Sequence, residues 1–321
     1  EDGIPHHLHR DGHGQVQGVG YRPFVFRLAQ DYNIHGWVKN EMGLVCIHAQ
    51  GTPQAVDKFK QALINQAPPL AKPQLRQSRA IELRDESGFS ILASEQGAET
   101  SIHLPPDYYL CPDCLNELFD KHNRRYRYPF INCTQCGPRY TLIKRLPYDR
   151  PHTSMAEFTL CPACREEYTN PADRRFHAEP IACPDCGPQL QYYSKAAGLI
   201  SDTAQALQTC VRSLHAGKII AVKGIGGYHL LCDARNNDSV LRLRKNKPRP
   251  HKPLAVMFPL LPDSDLGNLK QYVSLNGDEA DLLLSPMRPI VLLQKQTDTD
   301  LADSIAPGLN EVGVFLPYSP L

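Results

Sequence analysis

The chain has 321 residues, 41% hydrophobic and 21% charged, a mixture that can bury real cores and at this length suggests two or three domains. Its formal net charge of +1 gives no global pull toward nucleic acid or an anionic membrane. The best apolar run, Pro253 to Pro262, is proline-broken and far short of the roughly eighteen residues of a membrane span, and the opening EDGIPHHLHR has no apolar signal core, so a cytoplasmic chain without a membrane partner is expected.

Taken in order, residues 4–13 are His-rich and suit a strand poorly, so a solvated tail is expected, and residues 13–16 read as the end of a strand. Val25, Leu28, Ala29 and Tyr32 recur at helical spacing after Pro23, which suits a first helical turn. Trp37–Lys39 and Leu44–Ala49 read as strands joined by a turn at Asn40–Gly43. Val56, Phe59, Leu63 and Ile64 mark a second amphipathic helix opened by Thr52–Pro53, and strand-like pieces follow at Ala80–Leu83 and Phe89–Leu92. This β-α-β-β-α-β order predicts a split-βαβ, ferredoxin-like domain over residues 1–94, with a polar connector at 95–107.

Residues 108–190 hold eight of the eleven cysteines, in the pattern CxxC-x18-CxxC-x24-CxxC-x18-CxxC. The block repeats with a period of 50: Cys111, Cys114, Cys133 and Cys136 map onto Cys161, Cys164, Cys183 and Cys186, and Arg124–Arg125–Tyr126 onto Arg174–Arg175–Phe176. A CxxC turn aims two thiolates at one ion, and two turns complete a closed Cys₄ set, so two structural Zn²⁺ ions are expected. Redox-active pairs are disfavoured, because four pairs in register have no redox rationale. Sequential sharing within each repeat is the simplest arrangement, and crossed sharing stays open. His103, His122, His152 and His177 are spare for a Cys₄ set. Arg124, Arg125, Arg127, Arg139, Lys144 and Arg145 interleave with Tyr126, Tyr128, Phe130 and Tyr140, a composition that would suit single-stranded RNA. The balance of acid and base favours a packed surface around the metal instead, and nucleic acid is not an expected partner.

From residue 196 to 321 the chain returns to α/β periodicity. Leu207, Cys210, Val211 and Leu214 share a helical face that Gly217 can end, and Ile219–Val222 reads as a short buried strand. KGIGGYHL reads as a flexible loop, a helix carries Val240, Leu241 and Arg244, and Leu254–Phe258 is a second buried run. Lys247, Arg249 and Lys252, in a proline-stiffened loop, could converge on a polyphosphate. No clear element is expected at the end, and the unit reads as incomplete.

The sharpest small motif is GQVQGVGYRPF, Gly14 to Phe24. Gly18 and Gly20 allow a tight loop, Gln17 to Tyr21, with inward amides; Arg22 stands beside a helix start, and the three together make a cradle for a tetrahedral anion. Asn40 in GWVKN could hold an attacking water. On the glycines alone, a plain turn with a surface arginine competes with this reading. The full string with GWVKN resembles the acylphosphatase family over residues 14–92, which implies that Arg22 binds phosphate, that Gln17, Gly18, Val19, Gly20 and Tyr21 supply backbone donors, and that Asn40 orients water. Lys247, Arg249, Pro250, Lys252 and Pro253 resemble the K-x-R-P…K-P motif of YrdC/Sua5-type nucleotide-binding domains, which use ATP.

These three units in this order, with RYRYPFINCTQCGPRYTLIKRLPYDRP and APGLNEVGVFLP, resemble the HypF-type hydrogenase maturation carbamoyltransferases. The resemblance implies an α+β multidomain chain: a ferredoxin-like acylphosphatase domain, a duplicated zinc-finger block and a partial YrdC-like domain. It also implies hydrolysis of carbamoyl phosphate, adenylation with ATP and Mg²⁺, and transfer of the carbamoyl group to a cysteine of a maturation partner protein. On that reading the transfer step belongs to a further domain.

Overall fold

The structure is a computed structural model that describes residues 6–8, 19–41, 44–68, 70–75, 77–80, 84–92, 106–137, 139–145, 148–224, 227–248, 251–260 and 266–321. For residues 6–8, 40, 41 and 44 it describes the backbone alone. The strand end expected at 13–16, loop residues Gln17 and Gly18, the piece Ile81–Leu83, most of the connector and Arg249 lie outside the described residues.

His6–Leu8 (β1) is followed by helix Tyr21–Asp31 (α1), strands His35–Glu41 (β2) and Leu44–Gln50 (β3), helix Pro53–Asn65 (α2) and strand Phe89–Ile91 (β4). The sheet order is β1-β3-β2-β4; β3 lies antiparallel between β1 and β2, and β4 runs parallel to β2. The expected solvated tail is thus corrected, since His6–Leu8 pairs with Ile47–Ala49. An edge strand needs only main-chain bonding to its neighbour, and a polar composition does not prevent that. The expected turn at Asn40–Gly43 is also later than read, as β2 continues through Glu41. α2 begins where Thr52–Pro53 predicts: the Thr52 hydroxyl accepts from Ala55 N–H at 3.3 Å, and Pro53 needs no partner for an amide hydrogen it lacks. Val25, Leu28 and Ala29 of α1 and Val56, Phe59 and Leu63 of α2 bury one face each over Val38, Val45 and Ile47 of the sheet. The Tyr21 hydroxyl donates to the Leu63 carbonyl at 3.2 Å and ties the two helices together.

In the duplicated block, Pro112–Phe119 (α3) and Pro162–Thr169 (α4) occupy equivalent places, each starting on the residue after a cysteine. The rest is short 3-10 turns and irregular chain. The second repeat has a core of only Cys164, Ala178, Ile181 and Cys183, with a few half-buried neighbours.

Beyond the block come hairpin Tyr192–Ser194 (β5) and Gly198–Ile200 (β6), helix Thr203–His215 (α5), hairpin Ile220–Gly224 (β7) and Gly227–Leu231 (β8), helix Asn237–Asn246 (α6) and strand Val256–Met257 (β9). Gly267–Lys270 (α7), Gly277–Leu284 (α8), Val291–Gln294 (β10) and Glu311–Phe315 (β11) complete the elements. A three-stranded sheet has the order β10-β11-β9. Its core includes Val256, Leu269, Leu283, Leu293, Val314 and Leu316. Four sequence expectations change here. Val211 is exposed, while Ala206 and Ser213 are the buried positions of α5. The strand at Ile220 is half-exposed in a two-stranded hairpin, and residues 227–231, read as flexible loop, form its second strand in register from Gly224↔Gly227 to Ile220↔Leu231. The C-terminal stretch carries β11, whose Val312 and Val314 are buried.

The chain divides into two compact units, residues 1–107 with 131–186, and residues 108–130 with 187–321. No helix among the described residues is long and apolar enough to cross a membrane.

Candidate functional site

Gly20 stands immediately before α1 with φ 72° and ψ 19°, a left-handed conformation that costs any residue with a Cβ. The N-cap residue is a glycine and offers no side-chain acceptor, and the first-turn amides that follow Gly20 lack intrahelical acceptors. A helix N-terminus opened by glycine, with Arg22 on its first turn, is an anion-binding arrangement. Gly20 has a second constraint: a Cβ placed there would lie 2.4 Å from Thr134 Oγ1 and 2.8 Å from Thr134 Cβ. Thr134 itself is fixed, donating to the Arg174 carbonyl at 2.8 Å. Gly20 therefore rests on the turn between Cys133 and Cys136.

Arg22 is half-buried and its charged neighbours come from the cysteine block. Burial lowers its pKa from the ordinary arginine value, opposed by the charges of Asp149 and Glu179. His177 is held below its ordinary value by partial burial and by the Arg22 charge, with Asp149 pulling the other way. Glu179 is 6% exposed. Its Oε2 accepts from Arg150 N–H at 2.6 Å and from the Tyr168 hydroxyl at 2.8 Å. Burial raises the carboxyl's pKa against those two hydrogen bonds, and Asp149 adds to the rise. The Arg150 guanidinium is committed elsewhere: it donates to the carbonyls of Glu179, Ile181 and Phe158, each at 2.8 Å.

Each repeat gathers its own four cysteines, Cys111, Cys114, Cys133 and Cys136 in one group and Cys161, Cys164, Cys183 and Cys186 in the other, with the four Sγ atoms of each group within 4.8 Å of one another. Sequential sharing is the arrangement present. The Sγ···Sγ separations are 3.9 Å for Cys133–Cys136, 3.8 Å for Cys161–Cys183 and 3.7 Å for Cys183–Cys186. A tetrahedral ion with zinc–sulfur bonds of about 2.3 Å requires sulfur separations of about 3.8 Å, so the donor sets fit such an ion. Burial opposes ionisation of Cys161, but hydrogen bonds from the Cys164 N–H and neighbouring thiols outweigh it and bring the thiol down to about 7.

Three family models match this chain: Acylphosphatase over residues 12–91, the HypF finger twice, over 110–143 and 160–193, and the Sua5/YciO/YrdC model described as Telomere recombination over 212–321. The carbamoyltransferase HypF2 of Cupriavidus necator is 50% identical over 312 residues, covering 96% of this chain and 38% of that protein. The carbamoyltransferase HypF of Synechocystis sp. is 49% identical over 311 residues, with 96% and 39% covered. The chain belongs to the HypF carbamoyltransferase family. It spans about two fifths of the length of these relatives. A crystal structure of full-length HypF in the phosphate- and nucleotide-bound form matches with a TM-score of 0.83 at 40% identity, over 99% of this chain and 40% of that one.

Within this HypF-family chain, the structure puts Val19, Gly20, Tyr21 and Arg22 together at the start of α1, and Asn40 at the penultimate residue of β2 in register with Val45. Lys247 and Lys252 are both exposed. The residue that organises their loop is Arg244, whose buried guanidinium donates to the carbonyls of Lys252 at 3.0 Å, Ser304 at 2.6 Å and Ile305 at 2.8 Å. Of the basic and aromatic residues weighed as an RNA surface, Arg125, Arg139 and Tyr128 are buried, while Arg124, Tyr126, Arg127, Tyr140, Lys144 and Arg145 are exposed. Sequence reading missed Asp149, Glu179 and Thr134 altogether and set His177 aside as spare. No local signal marks them: His177 and Glu179 stand where the first repeat has Arg127 and Pro129, but the repeats also differ at many other positions between the ligands.

Proposed function

We propose that this chain carries the first step of a carbamoyl transfer, the hydrolysis of carbamoyl phosphate at the α1 N-terminus. The observation that carries the reading is the pairing of a left-handed Gly20 at the helix start with Arg22 on the first turn. The phosphoryl oxygens of the substrate would accept from the loop and first-turn amides and from the Arg22 guanidinium, which stabilises charge as it shifts onto the phosphoryl group and the leaving oxygen. Water held by Asn40 attacks phosphorus. The bond from phosphorus to the acyl oxygen breaks with its electron pair leaving on carbamate, and both water protons end on phosphate. No covalent nucleophile is needed, because placement and charge stabilisation suffice.

The eight cysteines would hold two structural zinc ions. When bound, each ion cross-links two turns that have little core of their own. Zinc at the first set would fix the Cys133–Cys136 turn on which Gly20 rests. In the longer family proteins, carbamate would be adenylated with ATP and Mg²⁺, with Lys247, Arg249 and Lys252 binding the nucleotide. The carbamoyl group would then pass to a cysteine of a maturation partner, toward the cyanide ligands of [NiFe]-hydrogenase. Cysteines held as metal ligands suit a reducing, cytoplasmic setting.

The test is Arg22→Ala. Loss of an oxyanion-stabilising donor of this kind lowers kcat by about 10²–10³-fold. Phosphate release from carbamoyl phosphate should fall by that factor while metal content and circular dichroism stay those of the parent. Turnover equal to the parent's would remove Arg22 from the site.

A further inference from the structure

Acylphosphatase-like loops grip the phosphate end of an acyl phosphate, and nothing in a ring of amides and a guanidinium distinguishes one acyl group from another. Carbamoyl and acetyl phosphate have nearly the same shape. They differ in that the carbamoyl nitrogen donates two hydrogen bonds where the acetyl methyl donates none. Selecting carbamoyl therefore takes a fixed acceptor at the acyl end of the site.

Glu179 has the properties of that acceptor. An ionised carboxylate only accepts. It is buried on the second cysteine repeat, within electrostatic reach of Arg22. The repeat reaches the loop through Thr134, which lies against Gly20 and is bonded to the Arg174 carbonyl, five residues before Glu179. Tyr168 and the Arg150 N–H both bond Oε2, which fixes the carboxylate's orientation; among the described residues no donor to Oε1 is seen. The Arg150 guanidinium is spent on three carbonyls. A buried carboxylate without a guanidinium clamp is costly to keep, and the equivalent position of the first repeat, Pro129, does without one. A dianionic phosphate beside Glu179 and Asp149 would be repelled, so their place is at the acyl end, with the phosphate on the helix amides.

We propose that Glu179 accepts a hydrogen bond from the carbamoyl nitrogen, so that the second metal-binding repeat sets the preference for a carbamoyl over an acetyl group. This rests on the hydrolytic reading above. The variant is Glu179→Gln, whose amide oxygen can still accept from Tyr168 and Arg150 while its NH₂ opposes the substrate's own. Both substrates are assayed by phosphate release with the whole metal-loaded chain. The kcat/KM for carbamoyl phosphate should fall about ten-fold or more further than that for acetyl phosphate. Equal losses, or no change, with an active parent overturn the proposal and leave the hydrolytic reading standing; a parent that hydrolyses neither substrate overturns both. Binding to the parent chain gives a second measurement that does not depend on the variant folding. Carbamoylmethylphosphonate should bind about ten-fold tighter than acetonylphosphonate, and equal affinities overturn the proposal.

Discussion

Gly20→Ala tests the coupling between the phosphate loop and the cysteine block most directly. Two penalties add. The left-handed backbone at φ 72° costs an alanine roughly 1–2 kcal/mol. The new Cβ, 2.4 Å from Thr134 Oγ1 and 2.8 Å from its Cβ, forces one element to move, at about 1–3 kcal/mol for an overpacked contact. Thr134 cannot yield freely, because its hydroxyl is bonded to the Arg174 carbonyl and its neighbours Cys133 and Cys136 are metal-site cysteines. The expected loss is about 2–5 kcal/mol for the single variant. In a Thr134→Gly background both overlapping atoms are gone, and the same substitution should cost only the backbone share, about 1–2 kcal/mol. Urea unfolding of the metal-loaded chain, followed by fluorescence of Trp37, reads this out, since the single tryptophan lies in β2 of the same sheet. Equal costs in the two backgrounds would mean that the loop and the Cys133–Cys136 turn are not in contact, and the account of the site as resting on that turn would be wrong.

Other outcomes follow from the same geometry. In an NMR pH titration His177 should titrate below the usual histidine range, and Arg22→Ala should move it upward by removing the cationic neighbour; an unmoved midpoint would separate the two residues. Because the neutral imidazole is favoured in the fold, the His177 contribution to stability is complete above about pH 6.5 and is lost as pH falls through that value toward the lower folded midpoint, a slope that His177→Asn should remove from thermal melts. Metal analysis should find about two zinc ions per chain, and Cys183→Ser should leave about one, with increased proteolysis confined to 161–186; two ions retained would contradict the Cys₄ assignment. Arg244→Met strands three carbonyls and should cost about 3 kcal/mol or more in urea unfolding, whereas a change under about 0.5 kcal/mol would show the brace to be idle.

The parts legible in the sequence were those where one residue type has one physical use. Thr52–Pro53 opens α2 because a hydroxyl cap and a residue without N–H both belong at a helix start. The CxxC spacing grouped eight thiols because a short turn between cysteines can face only a common centre. Gly20 stood out for its backbone, although no local pattern hints at the Thr134 contact that also excludes a side chain. Pattern failed where tertiary context decides. Val211 fits a helical stripe, yet the face of α5 that is buried runs through Ala206 and Ser213. The glycines of KGIGGYHL read as mobility, and they close a hairpin between Gly224 and Gly227. Glu179 carries no motif; its meaning comes from burial and from what surrounds it, neither of which is written in a local string.

A metal-organised repeat also explains how such a carboxylate can be kept at all. A small module held by apolar packing has few positions to spare for buried charge, since each must be offset by contacts elsewhere. The second repeat has only Cys164, Ala178, Ile181 and Cys183 as its core, yet it buries Glu179 and the Arg150 guanidinium with their hydrogen bonds arranged. If thiolate–metal bonds supply the folding free energy, polar residues between the ligands are free to diverge once the module is duplicated. The ligands, the paired arginines and the Gly137–Pro138 and Gly187–Pro188 steps hold the period of 50, while Arg127 gives way to His177 and Pro129 to Glu179. The repeats differ as well at Leu115 and Arg165, Leu118 and Tyr168, and Tyr128 and Ala178, the broad divergence expected of a module whose fold rests on its metal frame and not on those positions.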